Sequence, residues 1–362
     1  KDLGVKIDGL GTSKLRINAK DVKTPHPDSE LVEKLRASIL LLGPLLARFG
    51  ETKMRHPGGC IIGRRAVGTH FQALEALGVK TMATKNDYQS EVKDPKASEI
   101  FLDEASVTAT ENVLMMAVLT PGITTIDNAA CDPNVQDLTL FLNKMGARIK
   151  GGGTNRLTII GVEKLSGTQH RLAPDYMEAG TFAMLAAVTN SRIKITDTQP
   201  ADLRMILLYL KKMGVKLKVS ENNLEIFPSK LVAPEGKIQT RPWPGFPTDL
   251  MSPLIVLATQ AEGTTLCHDW MYGSRMYFVD KLINMGAKIT LCDPHRVLVT
   301  GPSRLSGKEL ESPDIRAGMA LILAALCAEG ESVIDKVELV ERGYGEIVKR
   351  LLALGAKIRR KD

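Results

Sequence analysis

Cys60 closes a Pro-Gly-Gly run in the segment HPGGCIIGRR, which begins at His56 and ends on Arg64 and Arg65. A thiol in a flexible glycine loop beside positive charge is biased toward thiolate and toward reactivity, whereas a Cys in apolar surroundings is an inert small hydrophobe. Cys131, Cys267, Cys292 and Cys327 fall in apolar or strand-like contexts and read as core. Three carboxylates recur at the start of helical patterns: Asp175 in PDYMEAGTF, Asp249 in GFPTDLMSP and Asp314 in PDIRAGMAL. Such an Asp caps the helix and complements its dipole, worth about 1 kcal/mol, and the same group can serve as a base. Recurrence in three places means that part of the feature is structural. Ser106, in ASVTATEN, opens another helical pattern.

The elements that carry these residues repeat. LGVK at Leu3, LGVK at Leu77, MGAR at Met145, MGVK at Met213, MGAK at Met285 and LGAK at Leu354 are spaced by 74, 68, 68, 72 and 69 residues. Each mark after the first closes an amphipathic helical pattern, where the Gly suits a left-handed C-cap, and a β-like run follows in most of them. A second helical pattern precedes each of the last five marks, from Arg36, Ser106, Glu178, Asp249 and Asp314, and then a strand such as GITTIDNA from Gly122. The unit is helix, strand, helix, strand over about 70 residues, longer and richer in strand than helical solenoid repeats. Six units suggest two domains of three, with the break between Gly167 and Asp175. The first mark has no helix before it, so the first unit reads as incomplete.

Composition bounds the partners. The 362 residues carry a net charge of +7, which admits anionic ligands. Basic residues occur singly or in pairs and aromatics make up only 4%, so no nucleic-acid surface is expected. The longest apolar stretch, from Ala317 to Ala328, is too short to span a bilayer. No secretory signal opens the sequence. Five cysteines with no CxxC spacing point to a reduced, cytoplasmic setting without structural zinc, and no Walker loop or GxGxxG supports a nucleotide or redox cofactor. Small phosphorylated or carboxylated substrates, which need only a few converging Arg and Lys, fit best.

The segments KLRASILLLGPLLARFG from Lys34, HPGGCIIGRR, ASVTATEN, PDYMEAGTF, GFPTDLMSP, SRMYFVDKL from Ser274, PDIRAGMAL and ERGYGEI from Glu341, taken in order, resemble the enolpyruvyl transferases, in particular the branch acting on UDP-N-acetylglucosamine. The resemblance implies an α/β fold of two domains, an inside-out α/β barrel of six βαβαββ-like units. Residues 1–172 would form one domain, with the cysteine loop at 56–65, and residues 173–362 the other. It implies transfer of the enolpyruvyl group of phosphoenolpyruvate to the sugar's 3-hydroxyl with release of phosphate, the committed step of peptidoglycan synthesis and hence of cell shape and division. Cys60 then matches the proton donor that fosfomycin alkylates, Asp249 the base, and Arg342 a catalytic arginine. Arg36, Arg65, Ala66, Val67, Gly68, Ser106, Val107, Asp175, Met271, Arg275, Asp314 and Arg316 match substrate-binding positions. Asp314 either moves protons or orients Arg316. His70 matches a family histidine without an assigned role. No metal, cofactor, nucleic acid or membrane is implied, and the chain is expected to be a cytoplasmic monomer.

The sequence also departs from the family pattern. Ala66 and Gly68 stand in a Pro-Val-Asp element after the loop arginine, Thr108 in place of a Gly, Gly273 and Ser274 in place of Glu-Asn, and Tyr176 where an Arg is frequent. The family's N-terminal Lys-Asn pair has no counterpart in the sequence. Two other readings are a sugar-nucleotide-binding homologue without turnover and a shikimate-3-phosphate enolpyruvyl transferase; the cysteine loop argues against the latter.

Overall fold

The computed structural model describes residues 1–59, 62–63 and 66–361. These fall into two compact units, one of Lys1–Gly59 and Arg65–Leu172, the other of Cys60–Arg64 and Ala173–Asp362.

The six expected repeats correspond to six separate sheets. In the first unit, Lys6–Asp8 pairs antiparallel with Arg16–Asn18. A second sheet places Asp87–Glu91 between Glu51–Arg55 and Lys80–Ala83. In the third, Glu99–Phe101 runs parallel to Ile123–Asp127, which pairs antiparallel with Arg156–Ile160, followed by Arg148–Lys150. The second unit has a three-stranded sheet centred on Asn223–Phe227. Its four-stranded sheet again begins with a parallel pair, Lys237–Gln239 with Gly263–His268, and continues through Arg296–Gly301 and Lys288–Asp293. Glu309–Glu311 and Val333–Asp335 form the last, a parallel pair. Only the two four-stranded repeats show the full βαβαββ order, and the six sheets stay separate among the described residues.

Helices lie inside. In the second unit the three that open successive repeats, Tyr176–Val188, Met251–Thr259 and Ile315–Cys327, pack on one another and are apolar nearly all round. Helices of that composition are covered on every side. Every residue of Met251–Thr259 is buried, and so is the run Ala317–Ala324 of the stretch noted above. The sheets cover this core with alternating faces, inward at Leu224 and Ile226 and at Val297 and Val299. In the first unit, Val107–Ala117 holds the corresponding place against Leu42–Phe49 and Gly68–Glu75, with Leu157 and Ile159 turned toward it. No helix is long and apolar enough to cross a membrane.

The punctuation glycines do what the sequence requires of them. Gly4, Gly78, Gly146, Gly214, Gly286 and Gly355 all have positive φ, between 81° and 104°. A Cβ at Gly146 would meet nothing within 4 Å, so its constraint lies in the backbone alone. Gly146→Ala is expected to cost about 1–2 kcal/mol in urea unfolding, the cost of holding an L-residue left-handed, with no change in substrate binding.

Candidate active site

In the second unit, Pro247 leads a short 3₁₀ turn, Thr248–Leu250, into the buried helix Met251–Thr259. Asp249, inside that turn, does not cap it; no side chain caps either element. Its carboxylate instead lies between two guanidiniums. Arg275 Nη2 donates to Oδ1 at 2.8 Å, and Arg316 Nε donates to Oδ2 at 3.0 Å. Burial pushes this carboxyl up, but the charges of Arg316 and Arg275 more than offset it and hold the group below the usual carboxylate range. The other two recurrent aspartates are caps. Asp175 accepts from the backbone N–H of Met177 and Glu178, and Asp314 from those of Arg316 and Ala317. Asp314 thus fixes the backbone N–H of Arg316. One sequence motif serves two ends, and the hydrogen bonds tell them apart.

Arg316 is held on a second side. Its Nη1 donates to the Tyr344 hydroxyl at 2.9 Å, and its guanidinium lies 5.3 Å from that ring's centre. Thr181 already donates its proton to the Met177 carbonyl, so Tyr344 donates to Thr181 Oγ1, 2.9 Å away. Tyr344 is fully buried. Arg342, two residues earlier, is exposed at the C-cap of Val337–Glu341. Met271 is half-buried, and its N–H donates to Asp269 Oδ1 at 3.0 Å. Asp269, Tyr344, Thr181 and Thr248 were not singled out from sequence. Tyr344, Thr248 and Thr181 lie within the quoted ERGYGEI, GFPTDLMSP and PDYMEAGTF segments; Asp269 carries no motif signal.

In the first unit the cysteine loop leaves Arg55 through His56 and Pro57. A Cβ on Gly58 would fall 1.5 Å from the Glu33 carbonyl oxygen, and one on Gly59 would fall 2.8 Å from Arg36 Cβ. The two glycines are required because the loop runs directly against that chain segment. Arg36 starts a 3₁₀ turn, and its Nη2 donates to the Ala66 carbonyl at 3.2 Å. Val67 precedes the helix Gly68–Glu75, and Gly68 faces open space. Ser106 caps Val107–Ala117 through its hydroxyl, accepting from Ala109 N–H. Thr108 Oγ1 lies 2.7 Å from Nε2 of the buried His70. Burial, then the charge of Arg36, lowers that imidazole to about 4, so it is neutral at pH 7. Cys60 and Arg65 lie outside the described residues. No group of three or more His, Cys, Asp or Glu able to hold a metal occurs among those described.

The family model described as EPSP synthase (3-phosphoshikimate 1-carboxyvinyltransferase) matches residues 1–351. A UDP-N-acetylglucosamine 1-carboxyvinyltransferase of Treponema denticola is 50% identical over 99% of this chain and 86% of its own length. One from Bradyrhizobium diazoefficiens is 48% identical over 99% and 85%. The chain belongs to the UDP-N-acetylglucosamine 1-carboxyvinyltransferases, within the enolpyruvyl transferase family. The fold of such a transferase is also found in solved structures of low identity. The enolpyruvyl transferase NikO from Streptomyces tendae superposes with a TM-score of 0.85 at 24% identity, covering 99% of this chain and 85% of that one. EPSP synthase from Acinetobacter baumannii gives 0.73 at 21%, covering 100% and 87%.

The helix capped by Ser106 also carries a titrating group. Burial pushes Glu111 up to about 7 from 4.5, with the Asn134 amide opposing and the charge of Asp132 adding; burial likewise raises Asp132 to about 6. The folded protein binds the Glu111 proton more tightly than the unfolded chain does, so this group's contribution to stability falls as pH rises from about 4.5 through 7. Glu111→Gln keeps an acceptor for the Asn134 amide, 2.9 Å away, and removes the titration. Urea unfolding at pH 5 and pH 7.5 is expected to show the wild type losing on the order of 2–3 kcal/mol more than the variant across that interval. Equal losses would contradict the assignment.

Proposed function

We propose that this chain transfers the enolpyruvyl group of phosphoenolpyruvate to the 3-hydroxyl of UDP-N-acetylglucosamine and releases phosphate. The observation that carries the reading is Asp249: among the three recurrent aspartates described above, it alone spends its carboxylate on two arginines and not on a helix terminus. Two guanidiniums keep it ionised, and each of its oxygens retains a lone pair for a substrate hydroxyl. Asp249 accepts the 3-hydroxyl proton as that oxygen bonds to C2 of phosphoenolpyruvate, while Cys60 gives a proton to the C3 methylene. The resulting tetrahedral ketal loses a C3 proton and expels phosphate, which restores the double bond. Arginine recognises phosphate or carboxylate with paired N–H donors, the role we give Arg36, Arg65, Arg275, Arg316 and Arg342. Ser106 and Val107, with Arg65, Ala66, Val67 and Gly68, hold the nucleotide diphosphate and base. Asp175 and Met271 line the sugar's place.

The support comes from relatives of that name at 43–50% identity across 99% of the chain and from the charge chemistry of the second unit. Peptidoglycan synthesis in the cytoplasm, with its consequences for cell shape and division, is the setting this activity implies, and fosfomycin is its expected covalent inhibitor.

The test is phosphate release from phosphoenolpyruvate that depends on UDP-N-acetylglucosamine. Asp249→Asn is expected to lower kcat by about a hundredfold to a thousandfold, the usual cost of removing one group that acts in the transition state. Release driven equally by shikimate-3-phosphate would overturn the substrate, and sugar-nucleotide binding without turnover would leave a binding protein. Intact mass after fosfomycin is expected to show one adduct, absent in Cys60→Ser; labelling of Cys131 or Cys327 instead would remove Cys60 from its role.

A further inference from the structure

We propose that Asp269 is a positioning residue: a buried carboxylate that fixes Arg275 and the Thr248 backbone, and through them the aim of Asp249. It follows the strand Gly263–His268 and is 0% exposed. Oδ1 accepts from Thr240 Oγ1 at 3.1 Å and from Met271 N–H at 3.0 Å. Oδ2 accepts a short hydrogen bond from the Thr248 hydroxyl and lies 4.0 Å from Arg275 Nε. Its own backbone carbonyl faces His295 Nδ1 at 2.7 Å. Thr248 is the residue before Asp249, and Arg275 is the donor to Asp249 Oδ1, so both routes from Asp269 end on the same carboxylate.

Charge accounting favours such a group beside Arg275. The Arg275 side chain is 2% exposed and that of Arg316 18% exposed. Asp249 alone cannot neutralise both, and an uncompensated buried cation is strongly unfavourable. Asp269 makes the contacting set two cations and two anions. Asp175 also acts on Arg316 by its charge, while Asp269 is the second carboxylate beside Arg275. Arg275 can hold Asp249 by one N–H and keep other donors for an anionic substrate.

The inference rests on the proposed transferase activity, and its test separates the two. Thr248→Val removes the hydroxyl link without changing charge, and Asp269→Asn removes the charge with little change of shape. With a folded protein verified by circular dichroism, Asp269→Asn is expected to lower kcat about 10- to 100-fold, the scale of a misaimed reacting group, with KM for the sugar nucleotide within about threefold. Thr248→Val should lower kcat about tenfold, Thr248→Ser should restore it, and the double variant should be no worse than Asp269→Asn alone. Multiplying losses, or an unchanged kcat in folded Asp269→Asn, would overturn the proposal. Absence of turnover in the wild type would instead sink the transferase reading. A measurement that does not need turnover remains in that case: ¹⁵N spectra should show restricted Arg275 guanidinium rotation in the wild type and fast rotation in both Asp269→Asn and Thr248→Val. The same restricted signals in all three would overturn the role of Asp269.

Discussion

A carboxylate shared by two guanidiniums is the contact that organises the buried charges of the second unit. Arg316 is the second residue of a helix, where the dipole's positive end disfavours a cation by about 0.3–1 kcal/mol. Asp314 caps the same turn and Asp249 accepts from Nε, so the unfavourable placement is offset twice. Arg275 comes from the loop after Gly263–His268 and is nearly inaccessible to water. The two arginines in turn keep Asp249 ionised against the cost of its burial. The fold brings them together by repetition: Asp249 and Arg316 stand at the start of successive inner helices, Met251–Thr259 and Ile315–Cys327, which pack on one another.

The repeat was legible because it is enforced locally. A helix that must stop and turn into a strand needs a left-handed residue, and glycine supplies it at little cost. All six marks therefore survive as sequence and as positive φ. Helix starts were equally readable at Ser106, Asp175 and Asp314, because capping uses a residue's own neighbours. Sheet closure was not readable in the same way. Whether six strand sets join or stay apart depends on edges far apart in sequence, and here they stay apart as six sheets.

The same division explains which site residues sequence reasoning reached. Asp249 was nominated together with Asp175 and Asp314, and only tertiary contacts reveal that its carboxylate is turned to arginine. Tyr344 and Thr181 are separated by 163 residues, yet share a buried hydrogen bond. No local rule flags such a pair. Asp269 is harder still: its neighbours His268 and Trp270 suggest nothing, and its significance comes from Thr240, Thr248, Met271 and Arg275 converging on one buried carboxylate.

The departures from the family pattern take on a different meaning once the first unit's contacts are considered. Thr108, which stands where the family pattern has a Gly, places its hydroxyl on His70, while Gly68 leaves open space at the start of the neighbouring helix. The histidine is buried and neutral at pH 7, so it adds no positive charge beside Arg36. Its contribution at that end is a fixed dipole joined to a hydroxyl in the first turn of Val107–Ala117, with Asn112 tying the same turn to the Ile39 carbonyl and to Gly43 N–H. The hydrogen bond through Nε2 holds the ring although its buried Nδ1 has no partner, whereas a buried cation there would need a further anion. The substitution at 108 therefore ties two helices of the first unit together, and a lost acidic side chain at position 68 is a change in what faces solvent, not in what supports the turn.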